Sequence, residues 1–284
     1  MNLERCIVIV SERCHFKLVL FIRKLKIVHP SLLKMRFADH IEQFRTNSTR
    51  SYNFQRLGGG VYWFPDKQSF LNGYMHPDGY KKFSKDYCTG LVFRPRKDIN
   101  MPLYYDFDFK MEAETSIPTS AMVELSREIF KILGEDPPKF LITRRCSCYY
   151  KETKKEPEGF WKSGFHLWVF KKGGYSTQDV IDLRLKCLEA GVLDSFLERY
   201  SIYNPPSDAF DESPGIRSNG LIIVGDRKKG LDPHYIAYYS QVGELDYEWE
   251  SEKHGLFTKL LSKMYNFIWA PQKNNKIDTS YMLV

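Results

Sequence analysis

Hydrophobic and polar positions alternate most sharply over Leu103–Lys110, LYYDFDFK. A period of two there sets Tyr105, Phe107 and Phe109 on one face of a strand and Asp106 and Asp108 on the other. Strand patterns recur in VYWF after Gly58-Gly59-Gly60, in Lys139–Tyr150 (KFLITRRCSCYY), in Trp161–Phe170 (WKSGFHLWVF) and in Leu221–Val224. Helical spacing is predicted over 37–46, over Thr119–Leu133 closed by Gly134, and over 256–268. A further helix opens at Ser176-x-x-Asp179 as a capping box and ends at Gly191. The stretch through Asn72-Gly73 and Pro77-Asp78-Gly79 reads as turns, KETKKEPEG as a charged hairpin, and Asn204–Pro214 as a Pro/Ser/Asp-rich loop.

Strands and helices interleave without βαβ regularity, so an α+β fold is expected rather than a doubly wound sheet. Along the chain we distinguish a basic extension over 1–36, an N-terminal part over 37–99, a core carrying the chemical motifs over 100–240, and a helical segment over 241–284.

Composition adds bounds rather than identity. At 284 residues, 43% hydrophobic and 27% charged, the chain is of ordinary globular make-up. Its net charge of +7 is concentrated at the front, where residues 1–36 hold eight Lys/Arg against two Glu. That surplus of six leaves about +1 for the rest, so any anion-binding groove must arise from local clustering. The extension is apolar in patches, but charges break every run before membrane-spanning length, and no membrane association is expected. It reads as an addition upstream of a working chain that starts near Met35, an interfacial basic helix being the alternative. Six scattered cysteines without a secretory signal point to free thiols in an intracellular, reducing setting. Cys146-x-Cys148, in an apparent strand, is read as structural, with half of a zinc site as the alternative.

Three features can carry chemistry. Asp106 and Asp108, two apart on a strand, project together, and neighbouring carboxylates resist joint ionisation unless a cation lies between them. Oxygen ligands of this kind suit Mg²⁺ or Mn²⁺. A solvated acidic face on an edge strand is the bland alternative, although the flanking aromatics favour a central strand. In Lys162-Ser163-Gly164-Phe165-His166, a small residue two before the histidine leaves room for a phosphate beside the imidazole, with Lys162 or Ser163 assisting. By itself His166 reads first as a satisfied core or surface histidine. Asp211 then lies in a turn before Arg217-Ser218-Asn219-Gly220, the apolar LIIV and the basic Arg227-Lys228-Lys229, which reads as a surface loop or as an acid carried towards a phosphate-binding rim.

Taken in order, DxD on a strand, Ser-Gly-x-His on a strand, and Asp before Asn-Gly-Leu with a basic cluster beyond, these features resemble the three motifs of the archaeo-eukaryotic primase superfamily, closest to the primase part of primase–helicases of large DNA viruses. The resemblance covers about residues 100–240. It implies a primase–polymerase core with a central, mostly antiparallel sheet, an RRM-like half and flanking helices. It implies a DNA-directed nucleotidyltransferase in which Asp106, Asp108 and Asp211 hold two Mg²⁺ or Mn²⁺ ions. His166, Ser163, Gly164, Lys162, Arg217 and Lys228 then bind the nucleotide. Implied partners are a single-stranded DNA template, an NTP or dNTP, and a replicative helicase in cis or trans, at a viral replication site in host cytoplasm or nucleus. Ile222 departs from the pattern where related sequences often carry Arg.

Two other classes fit part of the pattern. A DxD-type, Mn²⁺-dependent glycosyltransferase accounts for Asp106 and Asp108 but gives no role to His166 or Asp211. An inactive, aromatic-rich nucleic-acid-binding replication module predicts metal-independent, salt-sensitive DNA binding. No Walker A pattern is present, since Gly58–Gly60 is not followed by Lys-Ser/Thr.

Overall fold

The computed structural model describes residues 37–47, 53–74, 90–93, 100–134, 139–216, 221–226, 228, 230–245, 260 and 264. The basic extension 1–36, Pro77-Asp78-Gly79, Arg217 and most of the helix expected over 256–268 lie outside these residues.

The strands are β1 (Arg45–Thr46), β2 (Phe54–Arg56), β3 (Val61–Tyr62), β4 (Leu91–Phe93), β5 (Leu103–Met111), β6 (Lys139–Arg144), β7 (Tyr149–Lys151), β8 (Phe160–Phe170), β9 (Leu221–Ile222), β10 (Tyr235–Tyr239) and β11 (Gly243–Glu244). The helices are α1 (Phe37–Glu42), α2 (Lys67–Tyr74), α3 (Thr119–Leu133), α4 (Thr177–Glu189), α5 (Asp194–Arg199), α6 (Pro206–Ala209) and α7 (Ser213–Ile216). They build two sheets, one ordered β1-β3-β2-β4-β9 and one ordered β11-β10-β6-β8-β5 with β7 added beside β8. Every described strand pairing is antiparallel, which makes the fold α+β.

The larger sheet is buried on both faces. On one, Tyr105, Phe107, Phe109, Phe165, Leu167 and Val169 pack under α3, α4 and α5 through Met122, Ile129, Val180, Leu183 and Phe196. On the other, Tyr104, Leu141 and Trp168 meet Phe54 and Phe93 of the smaller sheet, with the helical Leu260 and Met264 in the same cluster. Each fully buried Phe or Leu contributes about 1.5–3 kcal/mol, so both faces are strongly specified and a slip of β5 by one residue would reverse them.

Local chemistry explains the boundaries. Gly134 ends α3 in the left-handed region, at φ 63°, and its N–H returns to Lys131 O. Ser176 and Asp179 exchange both capping-box hydrogen bonds at the start of α4. That helix ends at Glu189, slightly before the expected Gly191.

Several expectations are corrected. The helix predicted over 37–46 stops at Glu42, because Arg45 and Thr46 pair with Tyr62 and Val61. Asn72-Gly73 is not a turn but the end of α2, whose start is capped by Asp66 accepting from Ser69 N at 2.7 Å. KFLITRRCSCYY is two strands: β6 ends at Arg144, the chain bends, and β7 pairs only with β8. Cys146 and Cys148 therefore sit on that bend, and no third metal ligand gathers about them among the described residues. The Asn204–Pro214 loop contains α6, with Pro206 at its first turn, and the start of α7. No described helix is long and apolar enough to cross a membrane.

Candidate active site

β5 is the last strand of its sheet, not a central one. Its free edge is instead covered by the chain from Ile202 to Asp211. Bridges join Met111 to Ile202 and Phe107 to Phe210, and Tyr203 N donates to Lys110 O at 3.1 Å. The Asn204 amide spans the edge, donating to Asp108 O and accepting from Lys110 N, both at 2.9 Å. Asp211 N then donates to Asp106 O at 3.0 Å. Covering the edge satisfies backbone groups that would otherwise be exposed or buried without partners. The same pairing sets a third acid beside the first two.

Carboxylate oxygens of Asp106, Asp108 and Asp211 lie within 4.8 Å of one another. Asp211 is fixed from below by Ser213, whose N–H and hydroxyl donate to its two oxygens at 2.8 and 2.9 Å. Behind it Arg184, buried on α4, donates to Phe210 O and Ser207 O, both at 2.7 Å. Burial, then the charges of Asp108 and Asp211, hold the Asp106 carboxyl well above the usual carboxylate range, with Lys162 and Lys228 opposing. A partly recessed, mutually repelling set of carboxylate oxygens fits a hard divalent cation, which relieves the repulsion it would otherwise cost to ionise all three.

The rest of the site follows from register. On β8, His166 stands opposite Asp106, Gly164 opposite Asp108, and Lys162 opposite Lys110. Lys162 Nζ is 2.7 Å from Asp108 Oδ2. Burial works against its charge, but attraction to and hydrogen bonding with Asp108 outweigh that and raise its pKa. His166 Nε2 is 3.5 Å from Asp106 Oδ1. Burial, then Arg145, Lys228 and Lys162, push the imidazole well below its usual range, so this is a neutral histidine beside an acid rather than an ion pair. Lys228 reaches the same cavity from the loop after β9; lost hydration of its ammonium group, then the charges of Arg145 and Lys162, lower its pKa.

Gly164 has a different use from the one expected of it. A Cβ there would be driven into the carbonyl oxygen of Phe107, so the glycine lets β5 and β8 approach rather than simply clearing space for a ligand. Ser163 stands opposite Phe109, on the face turned away from the acids, and enters the cavity only as part of its wall.

The acids, Lys162, His166 and Lys228 line one cavity of about 330 Å³, with Gln55, Val92 and Ile222 of the smaller sheet and Leu57 from the turn after β2 in its wall. Ile222, where the motif often has Arg, thus supplies an apolar wall. Sequence reasoning missed Arg145, Tyr149 and His234, which line the same cavity. They carry no motif. Their signal is only parity, since His234 and Arg145 extend the face that bears Ile236 and Thr143 on β10 and β6.

No cysteine among the described residues lines this cavity; burial pushes the Cys187 thiol up to about 12, and burial, then Glu114, raises Cys148.

A comparison with curated proteins finds no match. A family model described as the C962R protein N-terminal AEP domain matches residues 74–240, more than half of the chain, and spans every element that bears the acids. This protein therefore belongs to that family, the archaeo-eukaryotic primase domain of C962R primase–helicase proteins, a family of primase-like nucleotidyltransferase domains.

Proposed function

We propose that this chain is a DNA primase–polymerase domain that joins NTPs or dNTPs on a single-stranded DNA template, during viral DNA replication and alongside a helicase in cis or trans. The observation that carries the reading is the convergence of Asp106, Asp108 and Asp211 within 4.8 Å, in a cavity that also holds His166, Lys162 and Lys228.

Asp106, Asp108 and Asp211 are the residues that would hold Mg²⁺ or Mn²⁺. Bound divalent ions supply Lewis-acid stabilisation of phosphoryl oxygens and a lowered pKa for a primer 3′-hydroxyl. Around them the chain's own groups do the binding. Ser213 fixes both oxygens of Asp211, so the third acid does not swing away. Neutral His166 offers an N–H to a phosphate oxygen without adding a charge that would repel the cations. Lys162 and Lys228 balance the negative charge that accumulates on the pyrophosphate. Leu57, Val92 and Ile222 give the cavity an apolar wall opposite the charged groups. Arg217, expected to bind nucleotide, lies outside the described residues.

Incorporation of labelled nucleotide on a single-stranded DNA template with Mn²⁺ or Mg²⁺ tests the reading. Wild type is expected to extend or initiate a strand, and Asp211→Asn to lose that activity while keeping its fold. Transfer from a nucleotide sugar, or DNA binding with no incorporation under either metal, would overturn it.

A further inference from the structure

The face of the larger sheet that bears the acids does not end at the cavity. Lys110 stands two residues past Asp108 on β5 and opposite Lys162 on β8, which in turn stands opposite Tyr149 on β7. Two residues before Lys162, Phe160 stands opposite Lys151. Side chains two apart share a face, so Lys110, Phe160 and Lys151 lie on the acids' side of the sheet. Each step of two residues advances about 6.5–7 Å along a strand. Tyr149 and Lys162 line the cavity, and Lys110, Phe160 and Lys151 carry the face outward from it. At the other end of this face Tyr104, Leu141 and Trp168 pack under the smaller sheet, whereas Lys151 is exposed and Lys110 half-buried.

One carboxylate marks this outer patch as a seat for an anion. Glu156, from the hairpin between β7 and β8, accepts from Lys110 Nζ at 2.8 Å and from the Tyr203 hydroxyl at 3.2 Å. Lys110 also lies over the Phe160 ring, 4.8 Å from its centre, which holds the ammonium group in place. Hydrogen bonding to Lys110, then to Tyr203, with the charges of Lys110 and Lys151 adding, holds the Glu156 carboxyl below its usual range. Both lysines thus address one acid. An ion pair open to solvent is weak, so another anion can take the carboxylate's place. Past Glu156 the surface turns acidic at Glu112 and Glu158, which keeps the cationic patch short.

In-line displacement sets the attacking hydroxyl and the leaving pyrophosphate on opposite sides of the reacting phosphorus. His166 stands opposite Asp106 and Lys110 follows Asp108, so along the strands these two residues flank the acid pair. A triphosphate lying past His166 leaves the Lys110 side to the strand that supplies the hydroxyl. We propose that Lys110 and Lys151 form a track for the strand being extended, holding a backbone phosphate behind its 3′ end in place of Glu156; this rests on the primase–polymerase reading above. A template phosphate has the same chemistry. The patch continues the very strands that carry Asp106 and Asp108, however, and the extended strand is the one that has to end at those acids.

Primer extension by the full chain in Mn²⁺ decides it, with uncharged methylphosphonate linkages placed singly in the primer behind its 3′ end or in the template. Lys151→Ala should raise KM for an all-phosphate primer about 3- to 10-fold and leave KM for the nucleoside triphosphate unchanged. That loss should vanish for a primer neutralised at the linkage Lys151 contacts, and persist when only the template is neutralised. Glu156→Gln, which releases both lysines and keeps a partner for Tyr203, should lower primer KM. An unchanged primer KM in Lys151→Ala, a loss cancelled by neutralising the template instead, an equal loss for the triphosphate, or a rise in Glu156→Gln would overturn the track while leaving the active site standing. A wild-type chain that extends no primer with Mn²⁺ or Mg²⁺ would overturn both.

Discussion

Replacing Asp106 with Asn should make the metal-free protein more stable and the metal-bound protein less so. Asp106 repels two carboxylates whose oxygens lie within 4.8 Å. At an effective dielectric constant near 20, one such pair costs about 3.5 kcal/mol, so removing the Asp106 charge removes about 7 kcal/mol of gross repulsion. Lys162 and Lys228 return part of this, and water in the cavity screens much of the remainder. A net gain of about 1–2 kcal/mol is expected, equivalent to about 2–6 °C in Tm for a chain of this size. The sign follows from the raised carboxyl. A folded-state pKa above the unfolded value means the folded chain holds that proton more tightly, so stability is lost as pH rises through the window from the ordinary carboxylate value up to the raised one. The advantage of Asp106→Asn should therefore disappear at about pH 4 and be full once the wild-type carboxyl is ionised. With Mn²⁺ at about 100 times its Kd, wild type should gain about 2.7 kcal/mol and overtake the variant, which gains little. Thermal melting across pH, in chelator and in Mn²⁺, measures all of this. An Asn variant that melts below wild type in chelator, or that gains as much from Mn²⁺, would refute the reasoning.

Gly164→Ala should destabilise the fold by about 2–3 kcal/mol in urea denaturation, because its Cβ has no room against the Phe107 carbonyl. Arg184→Met should cost about 2–4 kcal/mol, read the same way, by leaving two carbonyls without a charged donor. It should also weaken Mn²⁺ binding, since those carbonyls belong to the chain that carries Asp211. Ser213→Ala should lower Mn²⁺ affinity about tenfold in calorimetry with no more than about 1 kcal/mol change in stability, as only the hydroxyl contact to Asp211 is lost.

What could be read from the chain was local. The alternation of LYYDFDFK gives the face of each side chain because Phe107 and Phe109 have no other way to be buried, and Ser176 with Asp179 marks a helix start that needs no tertiary help. The position of β5 in its sheet was not local. Its aromatics favoured a central strand, but the burial comes from α3–α5 and from a covering chain that lacks strand patterning of its own. Asp211 was visible only as part of an ordered set of short motifs, and the backbone bond that seats it depends on Asn204 and Arg184, which look like an ordinary loop residue and an ordinary helix cation. Asn72-Gly73 suggests a turn because Gly and Asn usually make one; packing of Phe70 and Leu71 into the core overrides that preference. Arg145 and His234 carry no local signal, because the strand pattern of KFLITRRCSCYY continues through the bend at Arg145 and β10 is only five residues long.

Crystals soaked with Mn²⁺ and a nucleoside triphosphate, measured at the manganese absorption edge, test the central claim most directly. Anomalous density is expected between Asp106, Asp108 and Asp211, with the triphosphate leading from it past His166. Manganese bound elsewhere, or Asp211 turned away from a metal held by Asp106 and Asp108 alone, would contradict the account.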